Sequence, residues 1–254
     1  MTIAHSALAF GAGFAAGMIN AVAGGGTLVS FPTLIWLRLS AVVANATSTV
    51  AIWPAALGGM VGYRRELRGV ERKLLALALP SVAGGIAGAL LLRWTPPAVF
   101  AALVPYLILF ATILFAVQEP IQRKLRPEGH PQHRSAAWLA GAMIFQLFVA
   151  IYGGYFGAGI GILMLAALGV LGMTDIHQMN GLKNFFGMTI NGVAALYFIW
   201  AGMVYWPDVL VMAAGAIAGG YGGADFARRI GRSAVRKIVI LIGFSMALSL
   251  FLKR

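Results

Sequence analysis

Lys183 is the side chain whose setting most demands a chemical reason. It lies eight residues into an apolar stretch that begins near Asp175, and a cation inside a membrane-crossing helix costs at least about 2.5–3.5 kcal/mol. Contact with an anion accounts for it functionally, whereas pairing with Asp175 two turns away and snorkelling to an interface are the structural readings. Asn180 and Asn184 flank it, with Asn191 two turns further on, and a matching polar strip of Asn45, Thr47, Ser48 and Thr49 occurs earlier in the chain. Amides and hydroxyls within such helices need a partner, either a neighbouring helix or a ligand.

A glycine-rich interruption precedes each strip by the same interval. Asn45 follows Gly26 by nineteen residues, and Asn180 follows Gly161 by nineteen. The interruptions are Ala23-Gly24-Gly25-Gly26-Thr27 and the run from Gly153 to Gly161, which contains Gly157 and Gly159. Each glycine weakens a helix by about 1 kcal/mol relative to alanine. A helix that restarts after a break offers unpaired N–H groups and the positive end of its dipole, a setting that suits an anion. Gly24, Gly25, Gly26 and Thr27, with Gly157, Gly159 and Gly161, are therefore candidate backbone donors at one midplane anion site. Close helix packing is the competing reason for so much glycine.

The elements that must hold these groups follow from composition. Of 254 residues, 60% are hydrophobic and 10% charged, where a soluble domain has roughly 25% charged residues. Mean hydropathy is +0.86. Residues 1–37, 39–63, 74–92, 94–118, 135–174 and 184–207 contain no Asp, Glu, Lys or Arg, and each run reaches the roughly 18 residues that a membrane-spanning helix requires. A soluble enzyme, a disulfide scaffold and a disordered chain are excluded. The net charge of +12 sits between apolar spans, so it reads as a topology signal facing anionic lipid and not as a nucleic-acid surface. The chain has no cysteine, which removes thiolate metal sites and cysteine nucleophiles. No positive region precedes the first apolar stretch, so that stretch reads as a retained span and not a signal peptide.

The halves superimpose in sequence at a constant offset of 135. Gly24 falls on Gly159, Gly26 on Gly161, Asn45 on Asn180, Ala83-Gly84-Gly85 on Ala218-Gly219-Gly220, and Arg93 on Arg228. An ungapped register of this length indicates internal duplication. Basic residues cluster at Arg64–Lys73, in the linker, and at Arg228–Lys237, whereas the loops equivalent to the first and third clusters have few. The positive-inside rule puts all three clusters on the cytoplasmic side and equivalent loops on opposite sides. The expected fold is thus an all-α polytopic membrane protein with two inverted repeats of four hydrophobic segments. About eight transmembrane helices result, the first of each repeat broken at its Gly-rich stretch. The repeats cover 1–118 and 135–254, joined by a cytoplasmic linker over 119–134; a parallel repeat is the alternative.

Other chemistry is sparse. Asp175, Asp208 and Asp225 fall at span ends and the four glutamates in loops, leaving no carboxylate mid-span to bind a cation or relay protons. His5, His130 and His133 read as solvated or linker residues, and His177 as interfacial. The tryptophans read mostly as an interfacial belt. No serine–histidine pair, facing carboxylates, metal spacing or phosphate loop indicates an enzyme or a cofactor.

The segments GFAAGMINAVAGGGTLVSFPTL and ANATSTVAIWPAALGG, followed by YFGAGIGILMLAALGVLGMTDIHQMNGLKNFFGMTINGVAAL, resemble the sulfite exporter TauE/SafE family over essentially the whole chain. The resemblance implies a multi-pass carrier in a bacterial-type inner membrane for a small anion such as sulfite, an organosulfonate or a short carboxylate. Together with the anion-suited breaks, the expected activity is secondary transport, with export favoured because a negative-inside potential drives anions outward by about 2.3 kcal/mol per charge per 100 mV. A passive anion channel and a proton-coupled importer are the alternatives. The expected partners are the anion and the lipid bilayer, with no nucleic acid; the oligomeric state is not legible. Lys183 corresponds to Ser48 in the register, so charge recognition is expected from the second half alone.

Overall fold

The chain's glycine runs and polar connections divide it into helices, and a computed structural model describes residues 2–22, 25–62, 72–124, 136–170, 173, 175–230 and 232–252. In the first half these are α1 (Ile3–Val22), α2 (Thr27–Trp36), α3 (Ala41–Gly62), the single turn α4 (Arg72–Leu75), α5 (Ala78–Trp94) and α6 (Pro97–Lys124). In the second half they are α7 (Ala136–Tyr155), α8 (Ile160–Val170), α9 (Ile176–Trp200), α10 (Trp206–Ile230) and α11 (Arg232–Leu252). The described residues contain no strand.

Both expected breaks occur, between α1 and α2 and between α7 and α8. Gly25 has φ +104°, and Gly157 and Gly159 have φ +78° and +80°, a left-handed backbone that side chains other than glycine rarely adopt. The second break is narrower than the glycine run suggests. Gly153 and Gly154 belong to α7 and Gly161 to α8. A Cβ on Gly154 would strike the carbonyl of Gly85, so that glycine serves helix packing. Helix α6 continues through Lys124, into the stretch assigned by sequence to the linker, while the basic residues of 63–71 and 125–135 lie outside the described residues.

Contacts between helices repeat when the halves are exchanged. Helix α1 packs most extensively on α10, and α5 on α7; at the offset of 135, α1 corresponds to α7 and α10 to α5. The pairs α3–α10 and α9–α5 correspond in the same way, as do α1–α2 and α7–α8. Small residues permit these crossings. A Cβ on Gly13 or Gly17 would run into the backbone of Met212 or Ala216, and one on Gly215 or Gly219 into that of Phe10 or Phe14. Across α5 and α7, Gly84 and Gly88 meet the backbone at Leu147 and Ile151.

Two helices touch their own counterparts. Trp53 of α3 lies against Met188 and Gly192 of α9, and Thr47 near the start of α3 meets Tyr205 just beyond the end of α9. These contacts make α3 and α9 antiparallel. Helices α6 and α11 are antiparallel as well, since Thr112 meets Gly243 and Tyr106 stacks on Phe251 with ring centroids 5.1 Å apart.

Among the described residues, two segments are long and apolar enough to cross a membrane by length and composition, Ile3–Asn20 and Pro97–Val117. Other apolar segments, such as Ala78–Trp94 and Leu139–Tyr155, are shorter. In α9 the polar residues Asn180, Lys183, Asn184 and Asn191 interrupt an otherwise apolar helix. Leu210, Leu241, Leu248 and Phe148 lie exposed on the outer surface; four of the tryptophans, Trp36, Trp94, Trp200 and Trp206, sit exposed at helix ends. Trp53 departs from that belt by packing between α3 and α9.

Candidate functional site

The two chain breaks come together beside the middle of α6. A Cβ on Gly25 would sit 3.1 Å from the Phe115 ring, and one on Gly159 would sit 3.6 Å from the backbone of Ala111. Ala111 and Phe115 are one turn apart near the centre of the Pro97–Lys124 helix, so the breaks lie at similar depth. Phe31 of α2 also packs edge-on against Phe156 at the second break, with centroids 5.4 Å apart.

The breaks differ in how their backbone donors are used. At the first, the side chain of Asn20 folds over the start of α2, and its Oδ1 accepts from the amides of Gly25 at 3.1 Å and Gly26 at 2.8 Å. Two of the expected anion donors are thus held by the protein itself, while Thr27 opens α2 and Gly24 lies outside the described residues. Asn20 was not singled out by sequence; a lone amide six residues before Gly26 is its only signal. At the second break the residue equivalent to Asn20 is Tyr155, whose hydroxyl reaches Thr95 instead. Tyr152 steadies the loop by donating its hydroxyl to the Ala158 carbonyl at 2.7 Å. The amides of Gly159 and Gly161 make no hydrogen bond among the described residues.

Lys183 reaches this second helix start. A Cβ on Gly161 would lie 3.2 Å from Cδ of Lys183 and 3.6 Å from its Cγ, so the absence of a side chain there lets the lysine stem lie across the first turn of α8. At the other side of the loop, a Cβ on Gly157 would lie 3.5 Å from Oδ1 of Asn191. Asp175 is exposed and accepts from the Gln178 amide at 3.4 Å, a capping role at the start of α9.

Four polar residues of α9 form one strip. At about 100° per residue, Asn180, Lys183, Asn184 and Asn191 fall within about 100° of arc, with Gly187 among them. All five are half-buried, and a Cβ on Gly187 would meet nothing within 4 Å. The strip therefore borders open space.

Its counterpart on α3 is closed. Asn45 is 1% exposed and donates to the Tyr155 carbonyl at 2.9 Å, which ties α3 to the second break, while its buried Oδ1 has no hydrogen-bond partner among the described residues. Ser48 and Ser30 share a 2.6 Å hydrogen bond, and Thr49 donates back to the Asn45 carbonyl. Thr47 points elsewhere and accepts from the Tyr205 amide at 3.0 Å. Asn45, Ser48 and Thr49 thus face the breaks, and Thr47 does not join them.

A second polar pair lies apart from the breaks. His5 is not merely solvated: its Nε2 lies 2.7 Å from Oδ1 of Asp208, whose side chain is wholly buried at the start of α10. Among the described residues no group of three His, Cys, Asp or Glu side chains could hold a metal ion.

The sequence profile of the sulfite exporter TauE/SafE family matches residues 9–250. A probable membrane transporter protein of Haemophilus influenzae is 28% identical to this chain, over 94% of it and 92% of the relative. The probable membrane transporter protein ORF9 of a Sinorhizobium species is 23% identical over 96% of this chain and 91% of its own length. The probable membrane transporter protein YfcA of Escherichia coli is 25% identical over 92% and 85%. These relatives are named as transporters and not as enzymes. With a profile match spanning nearly all its helices, this chain belongs to the sulfite exporter TauE/SafE family of membrane proteins.

Proposed function

We propose that this protein is a secondary transporter of a small anion, a sulfite, organosulfonate or short carboxylate, that binds at the second chain break and is exported from a bacterial cell. The observation that carries the reading is the Lys183 stem lying across Gly161, where the amides of Gly159 and Gly161 head α8. A cation and a helix amino end converge there, and both favour negative charge. Asn180, Asn184 and Asn191 supply further polar contacts along the open strip of α9. Asn45, Ser48 and Thr49 close the site from α3.

Alternating access is supported by the same asymmetry. The α9 strip borders open space while the equivalent α3 strip is sealed by Asn45–Tyr155 and Ser30–Ser48. Two halves that exchange these roles would present the anion to either side in turn. Antiparallel counterparts, α3 with α9 and α6 with α11, favour an inverted repeat over a parallel one. On that reading α1–α2 and α7–α8 are broken re-entrant pairs, residues 1–118 and 135–254 are the repeats, and 119–134 is a cytoplasmic linker.

The test is counterflow in proteoliposomes with sulfite, methanesulfonate, sulfate and acetate. Saturable exchange of at least one anion is expected, with Lys183→Ala and Asn45→Ala reducing it at least tenfold in protein that remains folded. Normal exchange by both variants would refute this site, and single-channel currents in place of saturable exchange would establish a pore.

A further inference from the structure

We propose that Gly187 sets the size of the anion this protein accepts. The notch left by its missing side chain holds the body of an organic anion whose charged end lies at Lys183 and whose far end carries a hydrogen-bonding group for Asn191. The assignment rests on the anion site read above, and it narrows the ligand from any small oxyanion to an organic anion with a polar tail.

Lys183, Gly187 and Asn191 are spaced by four along α9, so successive members turn by only about 40° and climb about 6 Å. The two ends of the row fix where it points. The Lys183 stem lies across Gly161, with Cδ 3.2 Å from where a Cβ would sit, and Oδ1 of Asn191 lies 3.5 Å from the same point on Gly157. Gly187 between them therefore faces the second chain break and not the lipid. Leu182, Phe186 and Ile190 are buried on the adjoining face of the helix. Even so, a Cβ on Gly187 would meet nothing within 4 Å, so neither flanking side chain closes over it.

The counterpart row on α3 shows what the same positions look like when filled. At the offset of 135 it consists of Ser48, Ile52 and Ala56. Ser48 is bonded to Ser30, and Ile52 is buried with Ala16 and Ala216. Where the first half packs a branched side chain, the second has a glycine beside open space. Glycine inside a helix is less stable than alanine. At Gly17 a neighbouring backbone requires it, and at Gly187 no neighbour does. Gly11 and Gly141 also lack a close neighbour, but they are exposed, whereas Gly187 is half-buried and faces the break. A bound molecule accounts for that space.

The shape of the notch selects the tail. Lys183 and Asn191 lie about 12 Å apart along the helix axis, and helical side chains lean towards the amino end, which carries Lys183 away from Asn191. A bare oxyanion at Lys183 leaves the Asn191 amide unmet. A short chain laid along the notch brings a hydroxyl or amine to that amide, which both donates and accepts.

Isothermal titration calorimetry of the purified full-length chain in detergent tests the assignment, with methanesulfonate, propanesulfonate and hydroxypropanesulfonate as probes. The unmodified chain should bind hydroxypropanesulfonate about tenfold tighter than propanesulfonate, and Asn191→Ala should remove that difference. Gly187→Val, with Gly187→Ala as the milder filling, should weaken hydroxypropanesulfonate by about tenfold or more while leaving methanesulfonate within about twofold. Retained methanesulfonate binding also shows that the variants are folded. Binding of hydroxypropanesulfonate that both Gly187 variants leave unchanged, or equal weakening of the short and long probes in both, overturns the size assignment while the anion site stands. So does an unmodified chain that binds propanesulfonate and hydroxypropanesulfonate alike. If none of the three probes binds the unmodified chain, the anion reading itself fails and the size assignment falls with it.

Discussion

The indole Nε1 of Trp53 donates to the carbonyl of Met188 at 3.2 Å, and Met188 is the residue that corresponds to Trp53 at the offset of 135. A residue that touches its own counterpart in the register marks the point where α3 crosses α9. The ring covers Gly192, where a Cβ would come within 3.0 Å of Nε1 and 3.1 Å of the ring carbons. Gly192→Leu should therefore force α3 and α9 apart and destabilise the protein by about 1–3 kcal/mol. Thermal unfolding in detergent measures it, and a double-mutant cycle with Trp53→Ala should recover part of the loss. Additive losses would mean that the ring and the glycine do not constrain one another.

Glycines in this chain divide by what surrounds them. At Gly17 a side chain would collide with the backbone of Ala216, and at Gly88 with that of Ile151. No rotamer relieves a clash with backbone, so Gly17→Leu and Gly88→Leu should each lower the yield of folded protein and cost about 3 kcal/mol or more. Gly11 and Gly141 face open space within helices. Alanine at either should leave stability unchanged or raise it by about 0.5–1 kcal/mol. Equal destabilisation at all four positions would contradict this division.

Asn20 satisfies the backbone at the first break by accepting from the amides of Gly25 and Gly26. Asn20→Ala should release both amides and cost about 1–2 kcal/mol, as the loss of a helix cap does, whereas Asn20→Asp keeps an acceptor and should be milder. Paired melts of the two variants test this. An alanine variant as stable as the parent would show that the cap contributes nothing to the fold.

Much of the architecture could be read from residue patterns, and the misses have physical causes. Glycine runs located both breaks because unpaired backbone is tolerated only in a few conformations, and the offset of 135 anticipated which helices correspond. The run from Gly153 to Gly161 looked like one interruption because composition cannot separate a glycine that turns the chain, such as Gly157, from one that admits a neighbouring helix, such as Gly154. The strip on α3 appeared uniform, but at 100° per residue Thr47 faces away from Asn45, Ser48 and Thr49. His5 and Asp208 are 203 residues apart, and only the parallel packing of α1 on α10 brings them into contact. Asn20 escaped notice for a related reason: its role depends on how tightly the chain doubles back at Gly25.

Accessibility offers the sharpest test of the asymmetry between the halves. The chain has no cysteine, so a single introduced thiol reports without background. Gly187 borders open space on the α9 strip, whereas Ser48, on the equivalent face of α3, is 0% exposed and bonded to Ser30. In the state described here, Gly187→Cys should react with thiosulfonate reagents at least tenfold faster than Ser48→Cys. The lysine nearby adds a second discrimination. A reagent carrying a sulfonate should modify Gly187→Cys faster than a cationic reagent of similar size, because the nearby positive charge of Lys183 raises the local concentration of anions. Lys183→Gln in the same background should remove that preference while leaving the thiol reactive. If the sulfonate reagent has no advantage in the parent, or keeps it after Lys183→Gln, the strip does not select anions through this lysine.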